Sequence, residues 1–226
     1  MDNFEIARRS NEFTTEEKVR IFHLLDSDSK RHALLYGTDM DSRMEIQETL
    51  DKKYLAQLLD EMAEDEATDL IQEHPNKTQE EILSAMEEKD AEIIKDLIQY
   101  GEETAGGLMT PEFNKVYWNQ PAAEIFTKIR QESNSDTQPY FYVVDHHDKL
   151  LGFFKLRDLF NVPTSALAEE FIRSNTPKID INDPCEKVAN LMSQEHLSIL
   201  PVVNENNVIQ GVITFDDVIR VMEDIA

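Results

Sequence analysis

The densest group of potential metal ligands in this sequence is the acidic segment DEMAEDEATD at residues 60–69, which holds six carboxylates in ten positions. Asp65 and Asp69 are four residues apart, so a helix places them on one face, where two negative charges repel unless a cation lies between them. Mg²⁺ prefers oxygen ligands and keeps several of its waters, so one or two carboxylates suffice to bind it. The segment fits either a magnesium site or a solvated acidic face, and the spacing alone favours the solvated face.

A second set of polar residues occurs in two copies in the C-terminal half. The stretch YVVDHHDKLLGFFKLRDLF begins at Tyr142, and its counterpart PVVNENNVIQGVITFDDVI begins at Pro201, 59 residues later. An aspartate closes the motif in both copies, Asp158 in the first and Asp217 in the second. A repeat of about 60 residues, each copy with a strand, a helix, two hairpin strands and a second helix, predicts a pair of matching α/β modules packed on each other.

The elements before this repeat are predicted to be helical. From about residue 14 to residue 100 the apolar residues recur at helical spacing, which predicts an antiparallel stack of helices of about 10–15 residues. Thr-x-x-Glu boxes at Thr14–Glu17 and Thr78–Glu81 predict two helix starts. The sequence His74-Pro75-Asn76 predicts a break between helices.

Composition excludes several classes of function. The formal charge is −24, from 46 acidic and 22 basic residues, so phosphate backbones are repelled and nucleic acid is not expected as a partner. One cysteine rules out an intrachain disulfide framework, and the charged N-terminus lacks the apolar core of a signal peptide. No window approaches the roughly 18 consecutive apolar residues that span a bilayer. We therefore expect a cytosolic chain, with any spanning part outside it.

Catalytic motifs are not found in the sequence. It contains neither the phosphate-binding motif Gly-x-x-x-x-Gly-Lys-[Ser/Thr] nor the zinc-protease motif His-Glu-x-x-His. Cys185 follows Pro184 at a predicted helix start and has no candidate histidine base, so it is interpreted as a small packing residue. His196 is interpreted as a loop or core residue, and the six histidines as lacking metal spacing. The chain is not expected to be an enzyme.

The repeat resembles the CBS domain, a module that nearly always occurs in pairs. Its signature is Gly-h-h-[Ser/Thr]-x-x-Asp, where h is apolar, and the second copy carries it as Gly211-Val-Ile-Thr214-Phe-Asp-Asp217. The first copy has Lys155 at the hydroxyl position. The resemblance is specific for the fold, whereas CBS pairs serve many host proteins.

The string Ala-Gly-Gly-x-Met-Thr-Pro at residues 105–111 narrows the resemblance. An acidic helical domain that leads through this string into a CBS pair is similar to the cytosolic part of the MgtE-type magnesium transporters. The implied fold class is α+β multidomain, with an N-terminal all-α helical superhelix followed by a tandem pair of CBS α/β modules. The domains are predicted at 1–101 for the acidic helical domain, 102–164 for the first CBS module and 165–226 for the second.

The resemblance implies a magnesium sensor at the cytoplasmic face of a membrane, in a transporter whose transmembrane domain is absent from this chain. In that family, Mg²⁺ bridges the helical domain and the CBS pair and favours the closed state, and the CBS modules form a homodimer. The metal ligands that the resemblance implies are Asp65, Asp69, Glu186, Asp216 and Asp217. For Glu186, a capping box with Asp183 is an equally good explanation. The positions of Pro184, Ser193 and His196 include ones where other family members carry carboxylate or carbonyl ligands, so at least one family metal site is expected to be missing or altered.

CBS clefts also bind adenine nucleotides, so ATP or another adenine nucleotide is the alternative ligand. By resemblance the nucleotide-binding residues are Tyr140, Arg157, Asp158, Thr214 and Asp217. Helix capping is a competing interpretation of Thr214 and Asp217. The alternative function is a free-standing CBS-pair protein that binds adenine nucleotide and regulates a partner.

Two adjacent glycines precede the first module. Gly106 and Gly107 lack Cβ atoms and can adopt backbone angles closed to other residues, which predicts a hinge between the last helix and the first strand. The alternative is a helix C-cap followed by a tight turn.

Overall fold

The structure is a computed structural model that describes residues 3–101, 103–131 and 139–224. The chain divides into two compact units between Gln99 and Tyr100. The first unit is helical, and the second contains two three-stranded sheets. Among the residues described, none of the helices has the length and apolar character needed to cross a membrane.

The helical unit consists of short helices joined by tight turns. They are α1 (Asn3–Arg9), α2 (Thr15–Leu24), α3 (Asp28–Tyr36), α4 (Met40–Glu48), α5 (Lys52–Leu59), α6 (Glu64–Gln72), α7 (Asn76–Leu83) and α8 (Glu88–Leu97). Each has seven to ten residues, so the predicted length was too long. The side chains of Asp39 and Asp51 accept backbone N–H groups at the starts of α4 and α5, and such caps divide a stretch that apolar periodicity joins.

These helices form a repeating spiral. Each helix packs mainly on a helix two places away in chain order: α2, for example, packs on α4, and α6 packs on α8. Polar contacts recur at the same separation of 27 residues: Thr15 with Ser42 (3.0 Å), Gln47 with His74 (2.9 Å) and Asp60 with the backbone N–H of Glu87 (3.3 Å). A regular offset is the mark of a stacked repeat that contacts only its neighbours. The predicted helical superhelix is confirmed.

The interior of the spiral is mainly apolar, and Lys18 is a buried cation within it. Leu35, Ile46 and Ile71 are fully buried in a continuous core. Lys18 is 3% exposed, and its ammonium donates to Asp39 and to the Ser42 hydroxyl. A buried cation is tolerated when it is paired and hydrogen-bonded in this way.

The two predicted helix starts have different outcomes. Thr14 and Glu17 form the predicted capping box, in which the Thr14 hydroxyl accepts from the Glu17 N–H and the Glu17 carboxylate accepts from the Thr14 N–H. The capping box predicted at Thr78–Glu81 is wrong, because α7 already begins at Asn76, with Pro75 as its N-cap. The observed N-cap, Pro75, thus lies three residues before the predicted one, at a position where the missing proline N–H costs no helical hydrogen bond. The predicted break at residues 74–76 is confirmed.

The second unit repeats one topology. Its elements are α9 (Ala105–Leu108), β1 (Asn114–Tyr117), α10 (Ala122–Gln131), β2 (Tyr140–Val144), β3 (Leu150–Lys155), α11 (Leu156–Leu159), β4 (Ile179–Asp180), α12 (Cys185–Glu195), β5 (Ile199–Val203), β6 (Ile209–Thr214) and α13 (Phe215–Asp224). In one sheet β2 pairs parallel with β1 and antiparallel with β3, and in the other β5 pairs in the same way with β4 and β6. The predicted pair of matching α/β modules is confirmed.

The segment that leads into each module packs on the sheet of the other. Thr110 forms a backbone bridge with Val212 in β6, and Arg173 forms one with Phe153 in β3. A Cβ on Gly211 would lie 2.5 Å from the Thr110 carbonyl oxygen, and one on Gly152 would lie 2.7 Å from the Arg173 carbonyl oxygen. The glycine of the repeated motif is therefore needed for close backbone approach.

The glycine pair before β1 does not act through unusual backbone angles. Gly106 and Gly107 lie in α9, and none of the chain's glycines has a positive φ. The predicted use of angles closed to other residues is wrong. A Cβ on Gly106 would lie 2.7 Å from the Tyr100 ring and 2.9 Å from Ile181, and the Gly106 N–H donates to the Ile181 carbonyl at 2.8 Å. Gly106 permits tight packing on the second module.

Candidate functional site

The acidic segment at residues 60–69 is divided between two structural positions. Asp65 and Asp69 lie in α6, and Asp65 is 8% exposed whereas Asp69 is partly buried. Asp60 and Glu61 lie before α6, and they face a cleft that Asp65 and Asp69 do not line. The segment that looked uniform in sequence thus presents its first two carboxylates to the cleft.

This acidic cleft has a volume of about 490 Å³. Its lining residues are Asp28, Tyr54, Gln57, Leu58, Asp60, Glu61, Glu87 and Asp90. Five of the eight are carboxylates, and they come from three successive repeats of the spiral. A surface of this composition attracts hard cations that take oxygen ligands.

The carboxylates of the cleft are electrostatically crowded. Burial raises the pKa of Asp60, and the neighbouring charges of Asp90 and Glu87 raise it further. Asp28 is better compensated, because it accepts from the Tyr54 hydroxyl at 3.2 Å and pairs with Arg31. The Glu87 N–H, which donates to Asp60 at 3.3 Å, offsets only part of this rise, so the folded domain disfavours the charged form of Asp60.

On the CBS side, Glu186 is exposed in the first turn of α12. The capping-box explanation of Glu186 is wrong. The N-cap of α12 is Pro184, with no side-chain cap, and the Asp183 carboxylate instead accepts from the Asp180 N–H at 3.1 Å and from Lys187 at 2.7 Å. Glu186 is thus an exposed carboxylate without a capping role.

One of the two aspartates in the first turn of α13, Asp217, caps the helix. Asp217 accepts from the Thr214 N–H at 2.9 Å and from the Thr214 hydroxyl at 2.6 Å. Burial raises the pKa of Asp217, whereas Asp216 is exposed. The capping interpretation of Thr214 and Asp217 is confirmed, and Asp216 is the carboxylate that faces water.

The two CBS modules meet at Tyr140. Its hydroxyl accepts from Lys155 at 3.1 Å and from Ser198 at 3.3 Å, and the Lys155 ammonium lies 4.7 Å from the centre of the Tyr140 ring. The Ser198 hydrogen bond and the Lys155 charge lower the pKa of Tyr140. Thr214 is close, because it pairs with the residue after Ser198 across β5 and β6. Residues from both modules therefore meet in one polar cluster at Tyr140.

Asp158 at the end of the first motif pairs with an arginine that the motif does not predict. Arg173 donates to Asp158 at 3.0 Å, and Asp158 also accepts from the backbone N–H of Lys155 at 3.0 Å. Arg157 is exposed and lies 3.8 Å from Asp158. Arg173 comes from the segment that crosses between modules, and no local sequence signal links it to Asp158. Lys155, Arg157 and Arg173 thus place three cations around Asp158.

Three consecutive residues after β2, which are not among the predicted site residues, could together bind a metal ion. Asp145, His146 and His147 offer ligand atoms that all lie within 4.8 Å of one another. The prediction that no histidine has metal spacing is wrong for this turn, and the signal was the unbroken Asp-His-His run itself. His196, in contrast, is an exposed helix C-cap with φ of 52°. Cys185 is buried, as a packing residue should be, and burial raises the pKa of its thiol.

Comparison with known proteins gives two family matches in this chain. The MgtE intracellular N domain matches residues 1–103, and the CBS domain matches residues 168–224. The magnesium transporter MgtE of Thermus thermophilus is 34% identical over 131 residues, which are 58% of this chain and 29% of that protein. The magnesium transporter MgtE of Enterococcus faecalis is 30% identical over 137 residues, 60% of this chain and 30% of that protein. The matched region is thus about a third of these relatives' length.

Two solved structures resemble this one over almost the whole chain. The cytosolic domain of the Mg²⁺ channel MgtE, solved in complex with ATP, has a TM-score of 0.88 and 26% identity, covering 98% of this chain and 90% of that one. The soluble part of a magnesium transporter has a TM-score of 0.71 and 24% identity, covering 99% and 98%. The second match supports the fold alone.

Proposed function

We propose that this chain, in which a match to the MgtE N domain is followed by a match to the CBS domain, is the cytosolic region of an MgtE-type magnesium transporter and senses Mg²⁺ at the cytoplasmic face of the membrane. In this proposal Mg²⁺ binds to the acidic surfaces of the N domain and of the CBS pair, and it favours a closed state of the longer transporter. The relatives are named as magnesium transporters rather than as enzymes.

The observation that carries the proposal is the acidic cleft of the N domain. Five carboxylates surround about 490 Å³, and the pKa of Asp60 is raised, so an added divalent cation relieves repulsion that the folded domain otherwise contains. Hydrated Mg²⁺ suits such a wide and polar space, because it keeps several waters when it binds to a few carboxylates. Binding at the cleft stabilises the N domain by mass action.

We further propose that the family-type ligands act when the two domains close on each other. Asp65 and Asp69 serve the N domain, and Glu186, Asp216 and Asp217 serve the CBS pair. An ion that both domains bind only when they are closed shifts the population toward that state. The exposure of Glu186 and Asp216 supports their part in this scheme, whereas Asp217 would have to exchange its capping bonds for the metal.

The test is a millimolar Mg²⁺ titration of the full chain at constant ionic strength, with Na⁺ as the reference cation. Small-angle X-ray scattering measures the radius of gyration, and thermal unfolding measures stability. We expect Mg²⁺ to lower the radius and to raise the melting temperature. Asp65→Ala with Asp69→Ala should remove the change in radius.

Variants of the cleft separate specific binding from general charge screening. Asp60→Asn with Asp90→Asn removes two charges from the cleft and should weaken the thermal response to Mg²⁺. Glu88→Gln with Glu92→Gln is the matched control, because it removes the same charge from exposed positions on the helix of Asp90 that do not line the cleft. Equal responses of the two variants would contradict the cleft as a magnesium site. An unchanged shape and stability in the unmodified chain would contradict magnesium sensing.

The three cations near Tyr140 favour a second candidate function, the binding of an adenine nucleotide. Lys155, Arg157 and Arg173 offer cations to phosphate groups, and Tyr140 offers an aromatic face. The ATP complex of the related MgtE cytosolic domain supports this candidate. Calorimetry with ATP should give binding that Arg173→Ala weakens. A chain that binds ATP but ignores Mg²⁺ would favour the free-standing CBS regulator over the magnesium sensor.

We also propose that the chain forms a homodimer through its CBS modules, inside a longer transporter with a transmembrane part. Phe160, which follows α11, is 69% exposed, and Phe215 at the start of α13 is 44% exposed. Covering such side chains stabilises an association. Light scattering should give twice the chain mass, and Phe160→Ser should shift it toward the monomer. A monomer at all concentrations would contradict the dimer.

A further inference from the structure

The turn between β2 and β3 holds two adjacent histidines in a defined backbone conformation. The Asp148 N–H donates to the Asp145 carbonyl at 3.1 Å, and the Asp145 N–H donates to the Lys149 carbonyl at 3.0 Å. Asp148 closes the turn with φ of 58°. His146 and His147 occupy the two central positions of this turn, and both are exposed.

The carboxylate before the histidines is held by the same turn. One oxygen of Asp145, Oδ1, accepts from the N–H of His147 at 2.7 Å and from that of Lys149 at 3.0 Å. No other hydrogen bond to this carboxylate is found within the described part of the chain, so Oδ2 is left for an external ligand. The two imidazole rings lie with their centres 4.1 Å apart. The turn thus presents one oxygen and two imidazoles on the same side.

This ligand set differs in chemistry from the carboxylate surfaces proposed for Mg²⁺. Imidazole nitrogen suits zinc, copper, iron and nickel, whereas Mg²⁺ takes oxygen ligands. The ligand atoms of Asp145, His146 and His147 lie within 4.8 Å of one another. Two ligands on a tetrahedral zinc ion at about 2.0–2.1 Å are about 3.3 Å apart, so small side-chain rotations close the remaining gap. An open fourth position would be taken by water.

We propose that this turn binds one divalent transition-metal ion, of which Zn²⁺ is the probe, through Oδ2 of Asp145 and one ring nitrogen each of His146 and His147. The site lies wholly within the first CBS module. It depends on neither the acidic cleft nor magnesium sensing, so it can succeed or fail independently of the proposed function.

The second CBS module contains a natural control with the same backbone. Asn204 accepts there from the N–H groups of Asn206 and Val208 at 3.0 and 3.1 Å through its side-chain oxygen. Asn207 closes this turn with φ of 60°. The central positions are Glu205 and Asn206, without imidazoles, so this turn should not bind zinc.

The test is calorimetric titration of the full chain with Zn²⁺ in excess Mg²⁺, which fills the sites that prefer hard cations. We expect one high-affinity zinc ion per chain. His146→Asn with His147→Asn should lower that affinity by at least about tenfold, the loss that even residues merely supporting a metal ligand produce. Glu205→Gln, at the matching position of the second turn, should leave zinc binding unchanged. Both variants change exposed turn residues, and circular dichroism confirms that they fold.

Building the same three ligands into the turn of the second module is an independent test. Asn204→Asp with Glu205→His and Asn206→His should add a second zinc ion per chain, because the backbone is the same. In the unmodified chain, the ring signals of His146 and His147 should respond to zinc in NMR spectra. Absence of zinc binding in the unmodified chain, or undiminished binding after both histidines are replaced, would overturn the proposal.

Discussion

Replacement of Gly211 by alanine tests the way in which the two CBS modules are interlocked. A Cβ at this position would lie 2.5 Å from the Thr110 carbonyl oxygen, whereas ordinary contact begins near 3.4 Å. Alanine must therefore push the segment at Thr110 away by about 0.9 Å, since a backbone carbonyl cannot rotate aside as a side chain can. We expect the second unit to be destabilised while the helical unit is unaffected.

The magnitude follows from the contacts at that point. Thr110 and Val212 exchange two backbone hydrogen bonds of 2.9 Å, and a shift of this size weakens both of them. Loss of hydrogen bonds worth about 0.5–1.5 kcal/mol each adds to an overpacking cost of about 1–3 kcal/mol. The lower entropy of alanine in the unfolded chain offsets about 0.4–1 kcal/mol of this cost. The expected net loss is about 2–4 kcal/mol.

Urea unfolding followed by tryptophan fluorescence is a suitable assay. The single tryptophan, Trp118, packs against the core of the first CBS module, so its emission reports on the second unit alone. Gly101→Ala is the matched control, because a Cβ there would meet only Thr104 at an ordinary 3.6 Å. If Gly211→Ala were as stable as Gly101→Ala, the close approach of the two segments would be refuted.

Three further predictions concern local stability and reactivity. Thr14→Ala should destabilise the helical unit by about 1 kcal/mol because it removes a cap, whereas Thr78→Ala, inside a helix, should cost little; urea unfolding followed by circular dichroism compares them. Asp39→Asn should cost about 1–2 kcal/mol, because it removes the charge partner of the buried Lys18 ammonium while Asp39 is itself half exposed, whereas Lys18→Met should be nearly neutral. The Lys18 hydrogen bond holds the pKa of Asp39 far below its ordinary 3.8, so acid titration should show this stabilisation present above that pH and lost as the pH falls further. Cys185 is buried with a raised thiol pKa, so iodoacetamide should alkylate it slowly until urea unfolds the chain; rapid native alkylation would contradict its burial.

The proposed cation sites differ in the kind of ligand they offer. The acidic cleft contributes carboxylates such as Asp60 and Asp90 to a wide, polar space suited to hydrated Mg²⁺. The turn at His146 and His147 contributes imidazoles to a small, exposed site suited to zinc. Titration with zinc in excess Mg²⁺ distinguishes the sites, because the excess Mg²⁺ occupies the carboxylates of the cleft but does not compete for imidazole ligands.

Several features of this protein could be predicted from sequence because they depend on neighbouring residues. The repeated motif predicted two α/β modules, and the structure contains two sheets of identical strand order. The Thr14–Glu17 box and the break at Pro75 were predicted because caps and prolines act within one turn of a helix. The helix lengths could not be predicted in this way, because caps such as Asp51 divide the helices while the apolar pattern continues across them.

The candidate sites depended more strongly on tertiary structure. Sequence drew attention to the acidic segment at residues 60–69, yet only folding showed that Asp60 and Glu61, rather than Asp65 and Asp69, line a cleft. Their partner Asp28 lies a full repeat earlier, and the periodicity of apolar residues does not reveal which charged residues stack.

The glycines and the arginine of the CBS pair show the same division. Sequence determined that Gly152 and Gly211 match and that Asp158 ends a motif. Only the tertiary structure decided that the glycines admit crossing backbone segments and that Asp158 pairs with Arg173. Close approach and ion pairing between distant segments are set by how the two modules pack, and a linear pattern contains no distance between residues that the fold brings together.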